Sequence, residues 1–358
     1  MPSLSRVRIG AFNCENLFER PAALARSDSQ SMLERVAALQ TELSKDTFSR
    51  NAIDKLLQEL VGVVELNEVR GSYRAPGAGR STWLGWPEFL QTRIDDAAVA
   101  NTARVICDID CDILCTPEVE SRWTLVNFFS QVVARDFPGF EKYLEVLLLD
   151  GNDERGIDVG MLSRFPLKHL ATHIRATGDY FGRTVQLFSR DCPEYTFELG
   201  GGHVLTVLGN HLKSRRPPGP GELPPGQSDP QSGILRQMQA ERVAAIASGY
   251  DLSRDLVVVA GDLNDYPDSA SLQPLMNIKG LHNLNADRGT HRDEPKPIDF
   301  LLVSSPLRAR LISDLVIERR GIYMPESPAS SRYESVVSEL ASASDHAAIW
   351  ADFDLTGL

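Results

Sequence analysis

The sequence predicts a mixed α/β fold. Short apolar strands and amphipathic helical segments both occur along the chain, which is the pattern of a layered α/β domain. The 358 residues, 42% of them hydrophobic and 24% charged, suffice for a large core and predict about two domains or one large sandwich. No βα unit of constant length repeats and no glycine-rich phosphate loop opens a helix. A TIM barrel, a dinucleotide-binding fold and a P-loop fold are therefore disfavoured.

Each predicted strand has polar residues close to one end. The strands are residues 6–12 before Asn13, 112–116 before Glu118, 159–162 before Arg164, 203–208 before Asn210, 256–260 before Asp262, 298–303 after Pro297, and 346–355. Apolar residues three or four apart predict helices over 92–106, 125–133 and 235–247. We therefore expect the chemistry of the protein at the strand ends.

Two segments interrupt this pattern. Residues of about 20–90 begin with a helical run and close with a glycine-rich loop at 71–79, which is typical of an insertion. Residues of about 215–233 are rich in proline and glycine, and a loop of this length is either a lid or disordered. We predict a single domain over residues 1–358 that carries both segments, with the second at the rim of a site.

The charge balance limits how a substrate can bind. There are 37 Lys and Arg residues against 49 Asp and Glu residues, a net charge of −12. An acidic surface repels polyanions, so a phosphate-bearing substrate needs a local basic patch or a bound cation. This indicates a divalent metal. No apolar stretch is long enough to span a membrane and no secretory signal is visible, so we expect a cytoplasmic protein.

The five cysteines are an odd number in a chain without a secretory signal, which argues against a disulfide framework. Cys107, Cys111 and Cys115 form a C-x3-C-x3-C pattern, for which a metal cluster is one interpretation. Their segment is better interpreted as a helix end that turns into a buried strand. The cysteines would then be small core residues spread over two elements.

Taken one at a time, the polar fragments are weak signals. Asp262 and Asn264 leave a buried strand on a common side, where they can hold and deprotonate a water, yet both types are also ordinary turn formers. Each of the other fragments has a structural alternative as well. Glu118 and Asp299 could be strand ends, the Asp345–His346 pair a strand entry, the Asn210–His211 pair a loop closure, and Asn13 an Asx turn.

Taken in order, the fragments resemble the endonuclease/exonuclease/phosphatase family. They are Phe12-Asn13, Pro117-Glu118, Asn210-His211, Gly261-Asp262-Leu263-Asn264, Ile298-Asp299-Phe300 and Ser344-Asp345-His346. The resemblance covers about residues 6–18 and 105–355 and leaves 20–90 uncovered. It implies a four-layered α/β/β/α sandwich, with two mixed sheets packed face to face, helices outside, and a cleft at one end of the sheets.

The resemblance also implies roles. Glu118 is similar to the family's metal carboxylate, with Asn13 and Asp345 near it, and these oxygen ligands suit Mg²⁺, with Mn²⁺ as an alternative. His346 is similar to the family's histidine, oriented by Asp299. Three further residues complete the set. Asp262 would position or deprotonate the attacking water, and Asn264 and His211 would donate hydrogen bonds to the phosphoryl oxygens. Whether Asp262 or His346 is the general base stays open.

Departures from the family pattern indicate which branch of the family this chain resembles. Pro117 stands where a glutamine usually precedes the metal carboxylate, which removes one polar neighbour. Abasic-site endonucleases place a tyrosine at the position of Leu208 and an asparagine at that of His211, where this chain has a donor whose charge can follow pH. The expected substrate-facing cations are Arg164, Lys168, Lys213, Arg215 and Arg216.

These features predict a Mg²⁺-dependent phosphoesterase that hydrolyses phosphodiester bonds, a nuclease or phosphodiesterase in the simplest case. The substrate partner is a phosphodiester, with nucleic acid among the candidates, and no protein partner can be inferred. The alternatives are a phosphodiesterase or phosphatase acting on lipids or small molecules, and a non-catalytic binding module on the same fold. Completeness favours an enzyme, because a degenerate module would be expected to lose the histidine or the metal carboxylate.

Overall fold

The computed structural model describes residues 4–358 except 16, 19, 25, 27, 69–84, 92–94, 154 and 217–228. The chain divides into two compact units, Met1–Phe18 with Asp95–Leu358 and Glu19–Ile94. The glycine-rich loop at 71–79 and most of the proline-rich segment lie outside the described residues.

The strands, in chain order, are β1 (Val7–Ala11), β2 (Val64–Glu68), β3 (Gly85–Phe89), β4 (Ile113–Val119), β5 (Glu145–Leu148), β6 (Asp158–Ser163), β7 (Leu167–Ala171), β8 (Thr177–Tyr180), β9 (Arg183–Gln186), β10 (Glu194–Gly200), β11 (His203–His211), β12 (Leu256–Asp262), β13 (Leu281–Asn283), β14 (Asp299–Ser304), β15 (Val316–Glu318) and β16 (Ala348–Phe353). The helices are α1 (Ser29–Leu43), α2 (Arg50–Glu59), α3 (Asp96–Ile109), α4 (Arg122–Asn127), which continues as a π-helix (Phe128–Val133), α5 (Ala134–Asp136), α6 (Pro230–Ala247), α7 (Gln273–Met276) and α8 (Ser305–Arg308).

Two six-stranded sheets form the larger unit. Their orders are β15-β16-β1-β4-β6-β5 and β13-β14-β12-β11-β10-β7. Both are mixed, because β1 runs parallel to β4 and β11 parallel to β12 while their other neighbours are antiparallel. One apolar cluster contains residues of both sheets, such as Ile9, Ile113, Val207, Val258 and Leu301, so the sheets pack face to face.

Helices cover the outer face of each sheet. Ile106 and Ile109 of α3 pack on the first sheet, and Val243 of α6 packs on the second. Burying these apolar side chains contributes roughly 1.5–3 kcal/mol for each large one. The resulting order of helices, sheet, sheet and helices confirms the predicted four-layered sandwich.

The helices begin where their sequences supply caps. The Asp95 side chain accepts hydrogen bonds from Ala97 N and Ala98 N at 2.9 and 3.2 Å, which caps α3. Asp229 caps α6 in the same way, and Pro230 occupies its first turn. The proline-rich segment therefore ends before residue 233, the boundary that composition indicated.

Several strands differ from their predicted bounds. β11 continues to His211 and β12 to Asp262, so both residues lie within strands and not after them. β16 begins at Ala348, which leaves His346 in the preceding loop. The strands β5, β7 to β10, β13 and β15 were not predicted from the apolar pattern. Many of these strands are partly exposed, and their residues do not form continuous apolar runs.

The smaller unit has its own apolar core. α1 and α2 contribute Met32, Leu39 and Ile53, and β2 pairs with β3 in antiparallel register. The helical run predicted at the start of the insertion is present, and the two strands after it were not predicted.

The cysteines lie in the fold as small core residues. Cys14, Cys111, Cys115 and Cys192 are buried and Cys107 is half-buried, and all five are free thiols. Burial raises the pKa of Cys107 to about 12, with the nearby Asp108 and Asp110 carboxylates adding to the effect. Across the described residues, none of the helices combines the length and the apolar character needed to cross a membrane.

A buried ion pair fixes the loop after β12. Arg236 Nε and Nη2 donate to Asp265 Oδ2 at 3.0 and 2.6 Å, and Nη1 donates to Lys213 O at 2.8 Å. We expect Asp265→Ala to destabilise the protein by about 3–5 kcal/mol, because it removes the carboxylate that pairs with a buried guanidinium. Denaturant unfolding measures this. The control is Asp136→Asn in the exposed Arg135–Asp136 pair, which should not move the midpoint. Equal midpoints for both variants would contradict the prediction.

Candidate functional site

Six of the predicted site residues meet at one end of the two sheets. The parallel pair β11 and β12 places His211 directly beside Asp262. Four other elements reach the same place. Asn13 follows β1, Glu118 lies near the end of β4, Asp299 begins β14, and His346 precedes β16. The site is therefore built on strand ends from both sheets.

Asp299 holds the imidazole of His346. Its Oδ2 lies 2.8 Å from His346 Nδ1 and also accepts from Thr290 Oγ1 at 2.7 Å. His346 N donates to Ser344 Oγ at 2.9 Å, and Ser344 Oγ donates to Asn13 O at 2.8 Å. With Nδ1–H donating to Asp299, Nε2 faces the centre of the site, 3.8 Å from Asp262 Oδ2. Neither Thr290 nor Ser344 was selected from the sequence.

Asp262 is a buried carboxylate with three donors. It accepts from Asn264 N at 2.8 Å, from Asn264 Nδ2 at 3.1 Å and from Asn13 Nδ2 at 3.2 Å. Burial raises the pKa of Asp262 to about 7, against the lowering effect of the His346 charge. Burial alone would lower the pKa of His346, but the Asp299, Asp262 and Asp345 carboxylates raise it well above its ordinary value. The two groups therefore influence each other's protonation across 3.8 Å.

His211 lies between Glu118 and Asp262. Its Nε2 lies 3.6 Å from Glu118 Oε1 and 3.6 Å from Asp262 Oδ2. Burial lowers the pKa of His211 well below its ordinary value, and the charges of Arg190 and His346 lower it further. The imidazole is therefore a neutral donor near pH 7. The expectation that its charge follows pH is not supported, because burial and the neighbouring positive charges both oppose protonation of the ring.

Backbone geometry aims these side chains. Glu118 has a φ of +64° at a bulge where the register of β4 on β6 shifts between Pro117 and Val119. Bulges of this kind redirect a side chain and are common beside active sites. Gly261 has a φ of +123°, and a Cβ there would lie 2.1 Å from Asn210 O, so only glycine fits between the two strand ends.

Carboxylates form one side of the site. We call Glu15, Glu118 and Asp345 the acidic cluster; Asn13 borders it and accepts from Glu15 N at 3.0 Å. Burial and the Asp345 carboxylate raise the pKa of Glu15 to about 7, and Glu118 adds to this. Burial opposes ionisation of Asp345, yet the hydrogen bond from His291 and the charge of His346 hold its pKa well below the usual range. Glu15 was not selected from the sequence, although it lies two residues after Asn13.

The oxygens of the acidic cluster are hard donors of the kind that Mg²⁺ and Mn²⁺ accept. Among the described residues, two groups have ligand atoms within 4.8 Å of one another: Asp262, Asp299 and His346, and His291, Asp345 and His346. The members of the first group are buried and already bond to each other or to protein donors. The acidic cluster is therefore a candidate cation site.

Cations form a second charged group, near His211 and Asp262. We call Arg155, Arg190 and Lys213 the cationic cluster. The Arg190 side chain is only 4% exposed, and its Nε lies 2.9 Å from Asp153 Oδ2. Arg155 Nη2 lies 3.1 Å from the same oxygen. Burial lowers the pKa of Lys213, and the charges of Arg190 and Arg155 lower it further. Of the three, only Lys213 was selected from the sequence.

The other predicted cations lie elsewhere or are engaged. Arg164 pairs with Asp110 and Asp112 at 2.5 and 3.2 Å, at the end of the first sheet opposite the site. Arg164 is therefore too far from the site to contact a substrate bound there, contrary to the expectation from sequence. Arg215 pairs with Glu294 and lies over the Tyr266 ring, 4.6 Å from its centroid, so its charge is already matched. Lys168 is exposed on β7.

A buried carboxylate beside the cationic cluster predicts a pH effect on stability. Burial raises the pKa of Asp158 to about 7, and Asp150 and Asp153 raise it further. A carboxyl whose pKa is higher in the folded state stabilises the fold at low pH and loses that contribution as pH rises towards 7. We expect Asp158→Asn to be more stable than the parent at pH 8, by on the order of 2 kcal/mol, and equally stable at pH 4. Urea unfolding at both pH values tests this, and an equal difference at both would contradict it.

Comparisons with known proteins identify the family. The sequence profile of the Endonuclease/Exonuclease/phosphatase family matches residues 95–346. A search of curated proteins returned no match. Among solved structures, truncated Caenorhabditis elegans TDP2 is 16% identical, with 72% of this chain and 89% of that chain covered and a TM-score of 0.45. A family protein of Bacteroides thetaiotaomicron is 13% identical over 97% of both chains, with a TM-score of 0.48.

A third similar structure is the human nocturnin catalytic domain with bound sulfate, which is 15% identical with 73% of this chain and 87% of that chain covered and a TM-score of 0.47. The profile match extends over most of the larger unit and includes the elements that carry Glu118, His211, Asp262 and Asp299. The chain belongs to the endonuclease/exonuclease/phosphatase family.

Proposed function

We propose that this protein is a divalent-metal-dependent phosphodiesterase that hydrolyses its substrate by in-line attack of water on phosphorus. The observation that carries the proposal is the division of the site. The acidic cluster lies beside the buried Asp299–His346–Asp262 centre, since Asp345 Oδ1 is 3.8 Å from His346 Nε2, and the charges of the cationic cluster act on His211 next to Asp262. Such a site can bind a cation and an anion together and can take a proton from a water molecule.

The protein's own residues supply the proton transfer and the hydrogen bonds. Asp262, fixed by Asn13 and Asn264, accepts the proton of the attacking water as its oxygen bonds to phosphorus. The bond from phosphorus to the leaving ester oxygen breaks, and that oxygen takes a proton from solvent. His346, held by Asp299, directs Nε2–H at the phosphoryl group as its charge builds. The neutral His211 is a further donor on the same side, whereas the Nδ2 hydrogens of Asn264 are directed at Asp262 Oδ2 and Leu212 O, so Asn264 acts by holding Asp262. We assign the general base to Asp262, because the Asp299, Asp262 and Asp345 carboxylates raise the pKa of His346 and so keep its imidazole a proton donor.

Glu118, Asp345 and Asn13 would hold the metal, with Glu15 beside them. When bound, Mg²⁺ or Mn²⁺ would neutralise charge on a phosphoryl oxygen. Lys213 of the cationic cluster would bind a remaining phosphate oxygen. Arg190 is nearly buried and its charge is paired with Asp153, so its contribution would be the positive potential that it adds at the site.

Hydrolysis assays test the function. The substrates are plasmid DNA, bis-p-nitrophenyl phosphate, p-nitrophenyl phosphate and sphingomyelin, each with Mg²⁺, with Mn²⁺ and with excess chelator. We expect the diesters to be cleaved faster than the monoester. Sphingomyelin as the best substrate would favour a lipid phosphodiesterase instead, and full activity in chelator would refute the metal-dependent mechanism.

Glu118→Gln should weaken metal binding with little effect on folding, because the two side chains are nearly isosteric. Calorimetric titration with Mn²⁺ measures the affinity and thermal unfolding measures the fold. Asp136→Asn is the matched control, since it removes an exposed carboxylate of the same unit that contacts only Arg135 among the described residues. Equal Mn²⁺ affinity in both variants would remove Glu118 from the metal site.

A further inference from the structure

A short segment beside the site carries two groups that reach its carboxylates. His291 forms an isolated β-bridge with His346. Arg292 N donates to Asp345 O at 2.8 Å, and Ala347 N donates to Thr290 O at 2.6 Å. The loop that presents Asp345 and His346 is therefore fixed to this segment by backbone hydrogen bonds on both sides of His346.

The hydrogen bonds of His291 fix which ring nitrogen carries its proton. His291 Nδ1 accepts from Asp293 N at 3.0 Å, so the neutral ring carries its hydrogen on Nε2. That nitrogen lies 3.1 Å from Asp345 Oδ2. His291 is thus a donor to Asp345, and its Nε2 has no lone pair to offer a metal, although His291, Asp345 and His346 lie close enough to suggest a metal triad.

The His291 ring also packs on the catalytic imidazole. The rings of His291 and His346 meet edge to face, with centroids 4.8 Å apart and planes at 79°. The segment is supported from behind, because Arg319 Nη1 donates to Gly289 O at 2.6 Å. Thr290 holds Asp299 at one side of the His346 ring, and His291 holds Asp345 at the other, where Asp345 Oδ1 lies 3.8 Å from His346 Nε2.

We propose that His291 is a positioning residue that orients Asp345 by donating from Nε2 to Oδ2, so that Oδ1 is the oxygen presented to the bound cation. The inference rests on the proposed function, since it assigns Asp345 to the metal. Partners that hydrogen-bond a metal ligand fix its orientation, and their loss typically weakens metal binding about 10–100-fold.

The experiment compares variants that separate the donor from the ring. His291→Phe keeps an aromatic ring against His346 but has no N–H, whereas His291→Gln places an amide donor close to the position of Nε2. The control is His282→Phe, since His282 is another half-buried histidine with one side-chain partner, Ser305 Oγ at 3.0 Å. Mn²⁺ affinity is measured by calorimetry on the full chain without substrate.

We expect His291→Phe to bind Mn²⁺ about 10–100-fold more weakly, His291→Gln to recover most of that loss, and His282→Phe to bind like the parent. Unchanged affinity in His291→Phe would overturn the proposal. So would a glutamine variant as weak as the phenylalanine variant, because the ring itself would then be the required ligand.

A second measurement does not depend on any variant folding. Nitrogen-15 NMR of the histidine rings in the parent protein should show the Nε2–H tautomer for His291, and the Nδ1–H tautomer would contradict the proposal. Neither this measurement nor the Mn²⁺ titration uses a substrate. A protein that fails every hydrolysis assay but shows the expected affinities and tautomer would refute the proposed function and leave the role of His291 standing.

Discussion

Replacing His346 by alanine is expected to lower the rate of phosphodiester hydrolysis by about 10²–10⁴, the usual contribution of a positioned acid or base. The imidazole is buried, its Nδ1 is engaged by Asp299, and its Nε2 faces Asp262 across 3.8 Å. Alanine removes the donor and leaves Asp299 with Thr290 as its remaining side-chain partner. Steady-state kinetics on bis-p-nitrophenyl phosphate at saturating metal measure the loss, which should fall mainly on kcat.

Asp299→Asn should also be strongly impaired. Asparagine cannot hold His346 by accepting from Nδ1–H while supporting its positive charge, so the imidazole would take the wrong tautomer or orientation. His169→Ala is the matched control, because His169 is an exposed histidine on β7. If Asp299→Asn matched the parent while His346→Ala was inactive, the Asp299–His346 pair would not be the working unit.

The strand-end residues of this site could be predicted from sequence for a physical reason. β12 and β14 are buried along their whole length, so they appear as continuous apolar runs, and polar residues at their ends stand out. Asp262 and Asp299 lie at those ends. Glu118 also follows such a run, although its bulge and its left-handed backbone could not be inferred from composition.

The cationic cluster was missed because its surroundings lack that signal. Arg190 lies just before β10, whose residues alternate between buried and half-buried, and no polar motif marks it. Arg190 lies close enough to His211 and Lys213 for its charge to lower the pKa of both. These residues are distant in the sequence, so only the folded chain brings them together. Conversely, Arg164 follows a buried strand like the site residues do, but at the end of the first sheet remote from the site.

Thr290 and His291 were missed for a different reason. They belong to an irregular segment that meets β16's entry loop through one isolated bridge, so neither helical nor strand periodicity marks them. A hydrogen bond such as Thr290 Oγ1 to Asp299 Oδ2 joins residues nine positions apart, and only the folded chain brings them together. Residues that support a site are therefore harder to predict than those at the ends of buried strands.

His211→Ala is expected to reduce hydrolysis of any phosphodiester by about 10² or more, the order observed when one transition-state donor is removed. His211 is buried between Glu118 and Asp262, and its pKa lies well below the ordinary value because of burial and the nearby Arg190 charge. It is therefore neutral on both sides of pH 7. The ratio of parent to variant rates should stay constant from pH 6 to pH 9, whereas a charged donor would make it fall as pH rises.

Position 211 also distinguishes this protein from the abasic-site endonucleases of the family. An abasic-site endonuclease must grip a duplex and hold an extruded sugar, which needs a basic surface and a shaped pocket. This chain has a net charge of −12, with Leu208 buried inside β11 and His211 at the strand's end. We expect abasic DNA to be cut no faster than intact DNA of the same length. His211→Asn should keep more activity than His211→Ala, since its amide still donates. A hundredfold preference for abasic duplexes would place the protein on the abasic-site endonuclease branch. An alanine variant as active as the parent would show that His211 does not donate to the phosphate, and would contradict the assignment in the same way.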